Sequence, residues 1–158
     1  MEDIQTGTLA ISSTSFQHEG IIPPKYTCDG EGINPSLLID RLPEETKTLA
    51  IIMEDPDAPK GTFDHWLLWN ISPISEIKEN SIPGISGING AGKTGYFGPC
   101  PPSGTHRYYF HVFALDATLD LKAGANKKIL EQAMKTHVLA KGSLLGRYRR
   151  TSQMGNSL

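Results

Sequence analysis

Short apolar runs alternate with turn-rich segments along most of this chain, which is the pattern of a sandwich or barrel of strands. The candidate strands are Leu9–Ser12, Ser36–Ile39, Thr48–Met53, Trp66–Ile71 and Arg107–Leu115. In the last of these, Tyr108, Phe110 and Val112 share one face, and Tyr109, Phe113 and Leu115 the other. Both faces are apolar, so this strand is expected to be central and covered on each side, with His111 a packing histidine. One segment has a helical period. Ile129, Leu130, Ala133, Met134, His137 and Val138 recur at three- and four-residue steps, Asn126 suits the N-cap and Gly142 the end. His137 also reads as a packing residue. A final strand is expected over Leu144–Tyr148. The chain is thus mainly β with one late helix, and its 158 residues suit a single domain.

A formal net charge of −2 argues against a general nucleic-acid binder, whose phosphate contacts need a surplus of Lys and Arg. The basic cluster Arg147, Arg149 and Arg150 reads as a solvated face near the end of the chain. The opening residues lack the basic start and hydrophobic core of an export signal, and no run approaches the ~20 apolar residues of a membrane span. The expectation is a soluble, cytoplasmic protein. Cys28 and Cys100 have no C-x-x-C spacing for zinc. In a reducing cytosol they read as free thiols rather than a bridge, and spacing does not say whether they lie close together.

From Lys78 to His106 the chain is rich in Gly and Pro, and a loop this long is usually functional or mobile. Within it, Gly87-Ile88-Asn89-Gly90-Ala91-Gly92-Lys93-Thr94 fits the phosphate-loop pattern letter for letter. That chemistry needs a buried strand before the loop and a helix after it. Ser81-Ile82-Pro83-Gly84 is no strand, and Pro99, Pro101 and Pro102 preclude the helix, so the match is accidental.

Asp55-Pro56-Asp57-Ala58-Pro59 follows the strand ending at Met53, and its prolines make a stiff turn. His65 opens the next strand, and His106 opens the strand after the long loop. If these strand ends share a rim, two imidazoles and a carboxylate converge there. Tyr108 points to the same side as His106. A calcium loop at Asp55-x-Asp57 fails, because Pro59 and Trp66 stand where oxygen ligands are needed.

These residues resemble the phosphatidylethanolamine-binding protein family, also called Raf kinase inhibitor protein-like. Two signatures carry the likeness: Asp55-Pro56-Asp57-Ala58-Pro59 followed by His65-Trp66-Leu67-Leu68-Trp69-Asn70, and Gly98-Pro99-Cys100-Pro101-Pro102-Ser103-Gly104-Thr105-His106-Arg107-Tyr108. Tyr26-Thr27-Cys28-Asp29-Gly30 and Asn34-Pro35-Ser36 resemble its bacterial and archaeal branch. The resemblance implies an antiparallel β-sandwich of two packed, Greek-key-like sheets with one C-terminal α-helix and short helical turns. It also implies an anion pocket at one end that takes phosphate, a phosphorylated head group or a phosphorylated protein group. By position, Asp55, His65, His106 and Tyr108 match the pocket residues, Gly98 a glycine beside the ligand, and Asp57 and Pro59 its rim. A cis peptide bond in the Asp-Pro segment, a homodimer and inhibited kinase or protease partners are further implications, as is an open site in a chain that ends soon after Arg150.

The residues themselves agree with an anion site. Imidazole titrates near neutrality, a carboxylate can hold one ring, Tyr108 offers a hydroxyl, and the amide near Gly98 can approach a guest closely. This reads as a binding or regulatory protein without a cofactor, rather than an enzyme. The alternatives are a hydrolase using the Asp/His/His pocket, or Cys100 near His106, and a metal protein. Prolines around Cys100 weigh against the thiol, and the missing H-x-D spacing weighs against a facial triad.

Overall fold

A computed structural model describes residues 6–150; the opening five residues, read above for an export signal, lie outside that range. In chain order the elements are β1 (Gly7–Thr8), β2 (Ala10–Ser12), β3 (Leu37–Asp40), β4 (Thr48–Asp55), β5 (Phe63–Ile71), β6 (Glu76–Ile77), β7 (Ile85–Ser86), β8 (His106–Leu115), α1 (Lys127–Met134) and β9 (Val138–Tyr148). A six-stranded sheet has the order β1-β9-β8-β4-β5-β7, and a three-stranded sheet the order β2-β3-β6. Pairing is antiparallel except where β1 runs parallel to β9. Among the described residues no helix is long and apolar enough to cross a membrane.

The sequence of β4 explains why the large sheet is covered twice. Leu49, Ile51 and Met53 face the core under the small sheet, while Ala50 and Ile52 face a second core built with Leu130 and Met134 of α1. β5 alternates likewise through Trp66, Leu67, Leu68 and Trp69, and then the alternation slips. Ile71 joins the first core because Asn70 is left-handed, with φ of 55°, opposite a register shift between Leu49 and Ile51. Asn70 is held there by Leu119, whose amide donates to its Oδ1 at 2.8 Å and whose carbonyl accepts from its Nδ2 at 2.9 Å. Asn70→Ala should cost about 2–3 kcal/mol, from two lost hydrogen bonds and a strained φ. Asn70→Gly should cost less, since only the bonds are lost. Urea unfolding of both variants checks this, and equal losses would remove the backbone contribution.

The helix is shorter than its period suggests. Asn126 does cap it, accepting from the Ile129 amide at 2.9 Å. It ends at Met134, and the chain enters β9 at Val138, six residues before the expected strand. Val138 pairs with Leu115, so sheet pairing overrides the helical spacing of His137 and Val138. Gly142 is therefore not a helix cap but a mid-strand residue. A Cβ there would lie 2.2 Å from the Leu9 carbonyl oxygen, so only glycine lets that backbone pass.

Both histidines expected to pack do otherwise. His137 bonds Asp116 through Nδ1 at 2.8 Å with its side chain 39% exposed. His111 lies on the outer face of β8, bonded to Ser143 and Glu54. That face of β8 is buried only at Leu115, while Tyr109, His111 and Phe113 remain half-buried. Within the long loop, Asn89 occupies the amides a phosphate would need. Its Oδ1 accepts from Ala91 and Lys93, and no helix follows.

Candidate functional site

A central strand with antiparallel neighbours on both sides brings its exit beside both neighbours' entries. β4 is such a strand, paired with β5 and β8. Asp55 at its end therefore meets His65 near the start of β5 and His106 at the start of β8. The expected convergence of one acid and two rings occurs at this rim.

Asp55 and His106 are buried, and Asp55 Oδ2 accepts from His106 Nδ1 at 2.6 Å. The other carboxylate oxygen accepts from the Asp57 amide at 2.7 Å, closing a turn over Pro56. This turn is built from trans peptides: no cis bond occurs among the described residues, contrary to the expectation for the Asp-Pro segment. The side-chain bond to the Asp57 amide already locks the bend, so isomerisation is not needed to shape it.

His65 is buried, and its Nδ1–H donates to the Phe97 carbonyl at 2.6 Å, which leaves Nε2 for a guest. Burial holds this imidazole below its ordinary pKa, opposed by the Phe97 carbonyl and the Asp55 charge. Tyr108 lies between the rings, with centroids 5.3 Å from His65 and 6.3 Å from His106. Its hydroxyl is buried and makes no well-formed hydrogen bond among the described residues, although the Asp55 carboxylate lies close enough to act on it. Burial first, and then the Asp55 charge, push the phenol pKa up, so it remains a neutral donor. A buried donor left unpaired costs roughly 1–3 kcal/mol, which an anion would recover.

These four residues floor a cleft of about 130 Å³. That is room for a small guest such as a few waters or one tetrahedral oxyanion. Ala58 and Pro59 from the turn after β4, the rings of Phe63 and Phe97, and Cys100, Pro101 and Pro102 from the long loop make up the rest of its lining. Pro59 thus lines the cleft. Asp57 stands behind the rim rather than in the cleft: it accepts from the Arg107 guanidinium at 2.8 and 3.0 Å and from the Arg107 amide at 2.9 Å. That guanidinium holds its carboxyl down at about 2.

Two expectations change here. Gly98 does not line the cleft; a Cβ on it would lie 3.0 Å from the Thr27 backbone, so it docks one loop on another. The cysteines are not free thiols: Cys28 and Cys100 are disulfide-bonded, their Cα atoms 5.4 Å apart. The docking at Gly98 and a bond from the Cys28 amide to the Pro99 carbonyl at 3.1 Å run the two loops side by side. Cys100 thereby becomes part of the cleft. The aromatic walls Phe63 and Phe97 were not foreseen: Phe63 opens β5 three residues before the strand expected from Trp66, and Phe97 lies in the long loop, which follows no period. An even cysteine count with both residues in Gly- or Pro-containing loops was the available signal for the bridge.

Known proteins share this fold and sequence. The family model for phosphatidylethanolamine-binding protein matches residues 12–149. A UPF0098 protein of Pyrococcus horikoshii is 49% identical over 154 residues, covering 90% of this chain and 77% of that protein. One from Methanothermobacter thermautotrophicus is 46% identical over 148 residues, covering 89% of this chain and 98% of its own. The crystal structure of a phosphatidylethanolamine-binding protein homolog from Chlamydia trachomatis superposes with a TM-score of 0.88 at 39% identity, over 92% of this chain and 99% of that one. E. coli YbcL shares the fold at a TM-score of 0.83 and 23% identity, over 91% of this chain and 99% of its own. The chain belongs to the phosphatidylethanolamine-binding protein family, in its prokaryotic and archaeal UPF0098 branch.

Proposed function

We propose that this protein binds a phosphate group, free or carried by a small molecule, lipid head group or protein, in the Asp55–His65–His106–Tyr108 cleft. The observation that carries this reading is the buried Tyr108 hydroxyl between two imidazoles, which makes no well-formed hydrogen bond among the described residues. A bound anion gives that hydroxyl an acceptor and favours a second proton on His65, while Asp55 keeps His106 oriented. Charge-assisted contacts contribute roughly 1.5–3 kcal/mol each before desolvation, so simple phosphate should bind in the millimolar to high-micromolar range, about −4 to −6 kcal/mol.

The biological role in this reading is regulatory, with a kinase or protease as the inhibited partner and a homodimer as the working form. A cytoplasmic setting remains part of it, and the Cys28–Cys100 bridge must then withstand cellular thiols, as disulfides of hyperthermophile proteins do.

A titration of histidine NMR signals with phosphate and phosphoethanolamine tests the site: His65 and His106 should shift together while His137 stays. The same titration with sulfate, whose charge is fixed, isolates the imidazole protons. The free His65 ring is held neutral by burial. A neighbouring anion raises its pKa, so binding takes up a proton and must tighten as pH falls from 8 to 6, by up to about tenfold per unit for each proton. His65→Gln should flatten that dependence. Sulfate affinity that grows with pH would contradict the reading.

A further inference from the structure

On the opposite face of the sheet from the small β-layer, a cleft of about 580 Å³ opens between α1 and the β1–β9 edge. It is the size of a small-molecule site, and nothing in the anion reading uses it. Across it runs a hydrogen-bonded chain. The Ser143 hydroxyl lies 2.6 Å from His111 Nδ1, and His111 Nε2 lies 3.1 Å from Glu54 Oε2. Register explains the contact: His111 and Ser143 are directly paired across β8 and β9, and Ile52 pairs with His111 on the other side.

We propose that Ser143, His111 and Glu54 form a second site, which hydrolyses small carboxylic esters with Ser143 as nucleophile and His111 as general base. Nucleophile, base and acid are linked in the order this chemistry requires, with the two ring nitrogens exchanged relative to the usual triad: Nδ1 faces the serine and Nε2 the acid. With its proton on Nε2, the neutral His111 ring donates to Glu54 and presents the Nδ1 lone pair to the Ser143 hydroxyl. Glu54 is a positioning residue that stays ionised: the His111 bond and the Lys127 ammonium, 3.0 Å from Oε1, hold its carboxyl down at about 2. Lys127 is itself anchored by Asp64 at 2.8 Å. The Tyr109 ring, stacked parallel on His111 at 5.5 Å, limits the swing of the imidazole.

Two groups can receive the developing oxyanion. The pairing of β1 with β9 stops at Lys141, whose carbonyl accepts from Leu9 at 2.9 Å. It is Leu145 that next uses this edge, donating to His18 Nδ1 and accepting from Glu19. By strand alternation the Ser143 amide faces the same edge, midway between them. The Lys141 ammonium belongs to a residue two places along the same strand face and also lines the cleft. Ile52 and Phe113 provide apolar wall for a short acyl chain.

The step balances with water alone. Ser143 Oγ bonds to the ester carbonyl carbon as its proton passes to His111 Nδ1. Collapse breaks the bond to the alcohol, which leaves with that proton. Water, deprotonated by the same nitrogen, then cleaves the acyl–Ser143 bond, releasing the carboxylic acid and returning a proton to Ser143.

The test uses the full chain with p-nitrophenyl butyrate and, separately, a fluorophosphonate probe followed by peptide mass spectrometry. Ser143→Ala and His111→Gln are each expected to lower kcat/KM at least a hundredfold, and the probe should add to Ser143 of the unsubstituted protein. Because labelling is read on the unsubstituted chain, it stands even if a variant folds poorly. A Ser143→Ala rate within threefold of the parent, or a probe adduct only at other residues, would overturn the proposal.

Discussion

Replacing both Cys28 and Cys100 by Ala should lower the unfolding free energy by about 4 kcal/mol. The bridge joins residues 72 apart, and a cross-link over a loop that long removes much chain entropy from the unfolded state. The effect should appear as a lower urea midpoint, with a steeper m-value because the unfolded chain is more expanded. Sulfate affinity should fall in the same variant. Cys100 belongs to the wall that ends at Pro102, and the same loop carries the Phe97 carbonyl that orients His65. The bond from Tyr96 Oη to the Tyr26 carbonyl, at 2.7 Å, remains as the competing anchor. A stability loss under about 1 kcal/mol would mean that such contacts, not the sulfur bridge, hold the two loops together.

Asp55→Ala is expected to be nearly as severe, at about 3 kcal/mol, although it removes only a short side chain. Two donors lose their acceptor at once: the buried His106 ring, 2.6 Å away, and the part-buried Asp57 amide, 2.7 Å away. With Asp57 displaced, the Arg107 clamp on the start of β8 loosens as well. Binding should suffer more than stability predicts, since an untethered His106 no longer points at the guest. Calorimetric titration with phosphate, at a temperature where the variant is folded, separates the two effects. Unchanged affinity in a folded Asp55→Ala protein would exclude Asp55 from the site.

How far these groups could be foreseen differs by the kind of residue. β4 was legible because a strand covered on both faces is apolar at nearly every step, as Leu49–Met53 is, and β8 because its inward residues Tyr108, Phe110 and Val112 alternate, although its outer face is only half-buried. That Asp55, His65 and His106 fall at strand ends was readable, but their sharing one rim was only a condition in the sequence and an implication of the family resemblance; the pairing of β4 with both β5 and β8 brings it about. The helix end was misread because His137 and Val138 continue a period of 3.6 by coincidence, while the pairing of Val138 with Leu115 is invisible locally. The slip at Asn70 needs its partner Leu119, and the disulfide needs the docking of Thr27 on Gly98. Each depends on a contact between distant segments that no local pattern encodes. His111 was mistaken for a core residue because its neighbours in β8 are apolar, whereas the outward face there is capped by polar partners from β4 and β9.

The floor of the proposed anion cleft is fixed by strands, while most of its remaining lining belongs to the two connections around Pro59 and Pro101. Exchanging those segments would change which guests are admitted while leaving the acid and both imidazoles in register. Such a division lets selectivity drift independently of the charge-recognition chemistry, so that one scaffold can serve many cognate molecules bearing the same ionic handle.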